Sequence, residues 1–333
     1  MDNDHLRVAV VGMGKMGLLH ASILNVMPDV QLVAICEKSS FTRKLLKKLF
    51  HQVDLVADVN DFSGLDIDAI YVTTPIPSHY SVAKLACEKR LSRNLFVEKP
   101  LSANASEAAE LCNMAKQACN ITMVGYLRRF MVTFLKAKEL LSQNVIGELE
   151  SFAVEAFSAD FYDIKDNPKI SIARGGVLKD LGSYAIDLAL WYFGDLEVDS
   201  VAISSLTGKG AEDAVDFTVH RANDVLKGAF SVSWCAEGYR MPEVIMSISG
   251  SKGTINVNDD KISLHTGSKE ASWHRPDLND SVSFWLGSPE FYRESSYFIN
   301  SIQKNSLAEP SFITASKVDF MIDTIQRRGK HLG

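Results

Sequence analysis

Leu6-Arg7-Val8-Ala9-Val10-Val11-Gly12-Met13-Gly14-Lys15-Met16-Gly17 joins a β-rich apolar run to a G-x-G-x-x-G turn. Residues 16–27 then carry apolar side chains at helical spacing and stop near Pro28. Strand, glycine turn and helix in that order form the dinucleotide-binding fingerprint. Gly12 permits the tight turn, Gly14 admits a pyrophosphate close to the backbone, and Gly17 lets helix and strand pack closely. The helix N-terminus adds free N–H groups and the positive end of a dipole. Lys15 and Met16, inside the turn, count among the expected cofactor contacts. Twenty residues beyond Gly17, after the apolar run 31–36, stands Glu37, where an acid meets the adenosine ribose hydroxyls. Its charge disfavours the extra phosphate of NADP, so NAD is the favoured cofactor. The neighbouring cations Lys38 and Arg43 keep NADP open.

Outward from this turn, the first 125 residues alternate short apolar runs with helical patterns. Strands are expected at 69–73, 95–97 and 121–124, and helices at 41–50, 78–89 and 104–118. Such alternation predicts a parallel sheet covered on both faces. After Gly147 the pattern changes to alternating segments at 148–158, 198–207, 213–221, 225–235, 243–249, 253–257 and 261–265. These predict a meandering antiparallel sheet. Further helices are expected at 131–142, 181–193, 289–304 and 314–328. The fold class is therefore an α/β Rossmann domain, residues 1–125, followed by a mostly antiparallel α+β domain, residues 126–333. The terminal helix is free to pack back on the first domain.

Composition narrows the function. A chain of 333 residues, 46% hydrophobic and 23% charged, has ample material for two packed cores and is not a disordered protein. A net charge of -6 and a pI of about 5.8, with no basic tract, exclude nucleic acid and an anionic membrane surface as obvious partners. The five cysteines, at 36, 87, 112, 119 and 235, are odd in number and show no C-x-x-C spacing. The histidines are scattered, so neither a disulfide framework nor a metal site is expected. The start, MDNDHLR, is too polar for a signal peptide, and no apolar run approaches the roughly 18 residues of a membrane helix. A cytoplasmic location is the expectation.

Two clusters carry candidate chemistry. Glu98-Lys99-Pro100 follows a strand, at the end where ligands bind in open α/β sheets; a solvated turn is the plainer reading. In the run from Gly175 to Asp187, Asp180, Tyr184 and Asp187 fall at i, i+4 and i+7, on one helical face. Three polar groups among Leu181, Ala185, Ile186 and Trp191 invite a site; an N-cap at Asp180 with a core tyrosine is the alternative. Asp160, Tyr162, Asp163 and Lys165 form a polar loop before this run, either lining a pocket or simply solvated. Trp234, Tyr239 and Arg240 offer an aromatic and a cation suited to stacking on a sugar.

These motifs, in this order, resemble the Gfo/Idh/MocA oxidoreductases over nearly the whole chain. The shared parts are the turn Gly12–Gly17, Thr73-Thr74-Pro75 with His79, Glu98-Lys99-Pro100, Gly125-Tyr126-Leu127-Arg128-Arg129-Phe130, and the D-x-G-x-x-x-x-D run at 180–187. The resemblance implies a Rossmann domain plus an open-faced sheet, often used for homodimer or homotetramer contacts. It implies hydride transfer between a nicotinamide and a CH–OH carbon of a sugar, nucleotide-sugar, inositol or related polyol. Lys99 matches the lysine that contacts the reacting hydroxyl, and Asp180 a substrate-binding acid. Thr73, Thr74, Pro75, His79 and Glu98 match the nicotinamide end of the cofactor site. Arg128, Asp163 and Asp187 complete the substrate candidates, with Arg128 alternatively tying the linker. Tyr184 departs from the family pattern, which usually has His there.

A Lys–Tyr pair suits this chemistry. Removing a hydride from an alcohol carbon requires the hydroxyl proton to leave too. A free phenol titrates near 10, and a nearby ammonium favours its ionised form. In ketone reduction a neutral phenol and an ammonium both donate to the developing alkoxide. Tyr184 is therefore the expected proton-transfer group and Lys99 its electrostatic partner, with Lys99 as direct donor the alternative. Two other functions stay open: a glycosidase that oxidises transiently with tightly held NAD, and a non-catalytic dinucleotide sensor.

Overall fold

A computed structural model describes residues 5–160, 174–206, 211–222, 224–278 and 289–329. The strands β1 (Leu6–Val11), β2 (Val30–Cys36), β3 (Asp54–Val56), β4 (Ala69–Val72), β5 (Asn94–Glu98) and β6 (Ile121–Gly125) form one parallel sheet. Their order is β3-β2-β1-β4-β5-β6. β4 and β5 are buried at every residue, as strands covered on both faces must be. Between the strands run α1 (Lys15–Val26), α2 (Ser40–Leu46), α3 (His79–Glu88) and α4 (Ala105–Ala118). Ser39 caps α2 by accepting from Thr42 N at 3.2 Å. Asn104 caps α4 by accepting from Glu107 N at 3.0 Å, and Glu107 accepts in return from Ala103 N at 3.2 Å. α1 follows Gly14 with no side-chain cap, which leaves its first N–H groups to a ligand. The strand order reverses between β1 and β4, and the crevice over their carboxyl ends is where such sheets bind ligands.

The second sheet contains β7 (Leu149–Phe157), β8 (Glu197–Ser204), β9 (Ala214–His220), β10 (Lys227–Ser233), β11 (Glu243–Gly250), β12 (Gly253–Val257), β13 (Lys261–Thr266) and β14 (Lys269–His274). Its order is β14-β13-β12-β11-β7-β10-β9-β8. It is not the simple meander expected. β7 lies between β11 and β10, antiparallel to the first and parallel to the second, and so joins two meanders. The helices α5 (Val132–Ser142) and α6 (Ser183–Phe193) pack on one face. Phe152, Val154 and Ala156 of β7 point to that buried face. The opposite face carries a register row of small side chains running Ser200, Thr218, Ala229, Ala153, Ser247, Asn256, Ser263 and Ser272.

The chain forms two compact units, Met1–Tyr126 with Val282–Asp319, and Leu127–Ser281 with Phe320–Gly333. The stretch beyond 281 thus divides between the units, whereas the sequence division at 125/126 places it wholly in the second. The cause is aromatic packing. Phe298 on α7 (Pro289–Gln303) lies edge-on to Tyr71 at 5.6 Å and close to Phe96 at 5.8 Å. The last helix, α8 (Phe312–Gly329), starts in the first unit, where Phe312 N donates to Thr122 Oγ1 at 3.2 Å.

Within the second unit, Phe152 stacks on Phe193 of α6 with ring centroids 4.2 Å apart. A Cβ at Gly228, on the neighbouring strand, would fall 2.1 Å from Phe152 Cζ. Gly228→Ala therefore displaces this ring, and overpacking of this kind costs about 1–3 kcal/mol. Thermal denaturation should show a lowered Tm; an unchanged or raised Tm contradicts this packing.

Candidate active site

The candidate residues fall into two groups, one within each unit. In the first, the turn after β1 is sterically committed to glycine. Gly12 has φ of +92°, and a Cβ there would lie 2.7 Å from Thr74 Cγ2. A Cβ at Gly17 would lie 1.8 Å from the Gly12 carbonyl oxygen. Thr73 Oγ1 holds that same oxygen at 2.7 Å, so Thr73 braces the turn from β4. At Gly14 a Cβ would meet nothing within 4 Å, which leaves open space over the uncapped start of α1. Lys15 and Pro75 are exposed, and Met16 and Thr74 half-buried.

Glu37 stands at the end of β2. Its Oε2 accepts from Met13 N at 3.0 Å and its Oε1 from Ser39 N at 2.7 Å. Two main-chain amides thus fix the carboxylate beside the glycine turn. Arg43 donates to the carbonyls of Glu37 and Lys38, at 2.5 and 2.8 Å, while Lys38 itself is exposed. An open glycine, an uncapped helix start and a fixed acid fit a dinucleotide. The tie from Met13 to Glu37 is not visible in the sequence pattern.

At the end of β5, Glu98 is nearly buried. Its Oε1 lies 2.8 Å from His20 Nε2, and its Oε2 accepts from Lys99 N at 3.1 Å. Burial pushes this carboxyl up, but the His20 hydrogen bond and the nearby charge of Lys99 outweigh it and hold it below the usual range. Both oxygens are engaged inside the protein, whereas the resemblance implies a ribose contact. His79 is also interior, only 1% exposed. Its Nδ1 lies 2.9 Å from Pro100 O and its Nε2 2.7 Å from Thr74 O. Burial lowers its pKa against the pull of those carbonyls. His79 therefore backs the cofactor loops and does not face them. Lys99 is half-buried, and its bond to Pro100 is cis.

In the second unit, one turn of π-helix, Leu178–Gly182, leads into α6. Asp187, further along α6, faces the interior at 1% exposure and binds Arg129 through two hydrogen bonds of 2.8 and 2.6 Å. That corrects its reading as a substrate ligand. Asp180 and Tyr184 remain half-buried. Arg174 Nη1 lies 2.5 Å from Asp160 Oδ2 and 3.4 Å from Asp180 Oδ2. Desolvation acts to lower the Arg174 pKa, but the two carboxylates raise it further.

Arg128 is buried. It donates to Asp259 Oδ1 and Oδ2 at 3.2 and 3.0 Å and to Pro242 O at 3.0 Å. Its guanidinium carbon lies 4.6 Å from the Tyr184 ring centroid. Arg128 is thus committed to Asp259 and braces Tyr184; its reading as a free cation for substrate does not survive. Trp234 is wholly buried, which removes it as a sugar-stacking surface. Asp163, with Tyr162 and Lys165, lies outside the described residues. The sequence reading missed His20, Arg174 and Asp259. Arg174 alone had a local signal, a cation directly before Gly175-Gly176.

Comparison with known proteins now adds the family. Residues 6–126 match the oxidoreductase family with NAD-binding Rossmann fold, and residues 134–256 match the GFO/IDH/MocA C-terminal domain. The chain belongs to this family of oxidoreductases, and its first unit is an NAD-binding Rossmann fold. Inositol 2-dehydrogenase of Rhizobium meliloti (strain 1021) is 24% identical over 320 residues, covering 92% of this chain and 91% of that protein. Myo-inositol 2-dehydrogenase of Thermotoga maritima is 27% identical over 278 residues, 78% of each chain. The structure of levoglucosan dehydrogenase in complex with NADH and levoglucosan shares the fold, with a TM-score of 0.88 at 20% identity over 99% of this chain and 98% of that one.

Glu37→Gln keeps one acceptor for the turn but removes the charge. Losing a charged hydrogen bond to the ribose costs about 1.5–3 kcal/mol, so the Kd for NAD should rise roughly tenfold or more. Calorimetric titration checks this, and an unchanged Kd removes Glu37 from the cofactor site.

Proposed function

We propose that this protein is a dehydrogenase or reductase of a cyclic polyol or sugar, with NAD favoured over NADP. The observation that carries this reading lies in α6. From Ser183 to Ala189 every residue is buried except Tyr184. A single phenol left accessible in an otherwise interior segment, under a fixed guanidinium, is suited to proton transfer and not to core packing. Inositol and levoglucosan, named for two of the relatives, are both cyclic polyhydroxy compounds, which supports the substrate class. The amide-held carboxylate of Glu37, together with the carbonyl-bound Arg43, supports NAD.

NAD, when bound, supplies the hydride acceptor or donor. In the oxidation direction Tyr184, as the phenolate favoured by the Arg128 cation, takes the proton of the reacting hydroxyl on Oη, and in reduction the neutral phenol returns it. Arg128, held over the ring, stabilises the negative oxygen left behind. Lys99 holds the charge that develops on the substrate oxygen. Asp180, tethered by Arg174, accepts from a neighbouring hydroxyl and fixes the ring that carries it. We place the activity in the cytoplasm, where thiols such as Cys87 and Cys119 stay reduced. The row of small side chains across the open sheet face supports a homodimer or homotetramer through that face.

Single-turnover hydride transfer separates the two candidate proton groups. General acid–base catalysis contributes about 10²–10⁴-fold, so Tyr184→Phe should slow the step by at least about a hundredfold. Lys99→Met should slow it as well, with cofactor binding kept. Near wild-type transfer in Tyr184→Phe would assign the proton to Lys99 instead.

A further inference from the structure

The main chain around Lys99 is gripped from both sides by buried imidazoles. His20, on α1, is 0% exposed, and its Nε2 meets Glu98 Oε1 at 2.8 Å. The rings of Phe96, Tyr71 and Phe291 surround it, with centroids 5.2, 5.6 and 6.0 Å away. Its Nδ1 has no hydrogen-bond partner among the described residues. A bare ring nitrogen among aromatic rings fits the neutral tautomer with the proton on Nε2, which then donates to Glu98. Glu98 in turn uses its other oxygen to accept the Lys99 N–H. On the far side of Lys99, His79 Nδ1 lies 2.9 Å from Pro100 O, and its Nε2 lies 2.7 Å from Thr74 O.

Neither histidine is open to substrate or cofactor, and neither is needed to close a helix or a strand. Each spends one ring nitrogen on a residue flanking one lysine, His20 on Glu98 and His79 on Pro100, and the second nitrogen of His79 holds the Thr74 carbonyl. A carboxylate as buried as Glu98 must keep its donors, because a buried acceptor left unmade is expensive. Removal of the His20 donor is therefore transmitted to the atom Glu98 holds next, the Lys99 amide. We propose that His20 and His79 are positioning residues that fix the Lys99 backbone from α1 and α3. The inference rests on the role of Lys99 proposed above.

Two pairs of variants test it. His20→Leu and His79→Leu remove the polar atoms. His20→Gln restores an amide donor near Nε2, and His79→Asn restores one near Nδ1. A misplaced catalytic group costs on the order of tenfold to a hundredfold in rate. The Leu variants should lose that in kcat with the KM for NAD nearly unchanged, and the amide variants should recover most of it. In the cofactor-free protein, amide-resolved hydrogen exchange should show the Lys99 N–H exchanging about tenfold faster in His20→Leu, and at the wild-type rate in His20→Gln. Unchanged Lys99 exchange in His20→Leu, or equal kcat loss in the Leu and amide variants, overturns the proposal. Full turnover in Lys99→Met would instead sink the assignment of Lys99 to the reaction, while the exchange result would still report on the clamp.

Discussion

The carbonyl oxygen of Gly12 occupies the space that a side chain at residue 17 would need. That single close approach fixes how α1 leaves β1, and Thr73 Oγ1 locks the same oxygen from β4. Three elements are thereby set against one another at the point where the strand order reverses. The uncapped N–H groups of α1, the open space at Gly14 and the amides that hold Glu37 all follow from the path the chain takes there. A bulkier residue at 12 or 17 would disrupt the fold and the cofactor site together.

Buried charge organises the rest. Glu98, Asp187, Arg128 and Arg129 are all nearly removed from water, and each meets a charged or hydrogen-bonding partner at short range. Breaking such a pair typically costs about 3–5 kcal/mol, although a well-packed apolar replacement is often tolerated. Their value here is placement: Asp187 with Arg129 ties the chain before α5 to α6, and Arg128 with Asp259 presents a cation to the Tyr184 ring. The groups left half-exposed, Lys99, Asp180 and Tyr184, are the ones the proposed chemistry uses.

What the sequence discloses follows from the range of the interactions involved. The glycine turn and Glu37 are legible because each residue answers a local backbone need at fixed spacing. The antiparallel character of the second sheet is legible from alternation. β3, three residues long at a sheet edge, leaves too short a pattern to read. The parallel pairing of β7 with β10 is decided by packing between distant segments and has no local signature. Asp187 falls three residues after Tyr184 in α6, but its burial is decided by Arg129, which lies 58 residues away in sequence. His20 reads as one more helical residue because Glu98 is 78 residues distant.

The central claim is that this fold moves a hydride between NAD and a ring carbon bearing a hydroxyl. The most direct test is absorbance at the NADH band while the protein and NAD are offered inositols, free sugars and anhydrosugars in turn. Net NADH formation with at least one cyclic polyol, abolished in Tyr184→Phe, is the predicted result. Cofactor that co-purifies and cycles with glycoside cleavage but no net NADH, or binding of NAD without hydride transfer to any of these compounds, would contradict it.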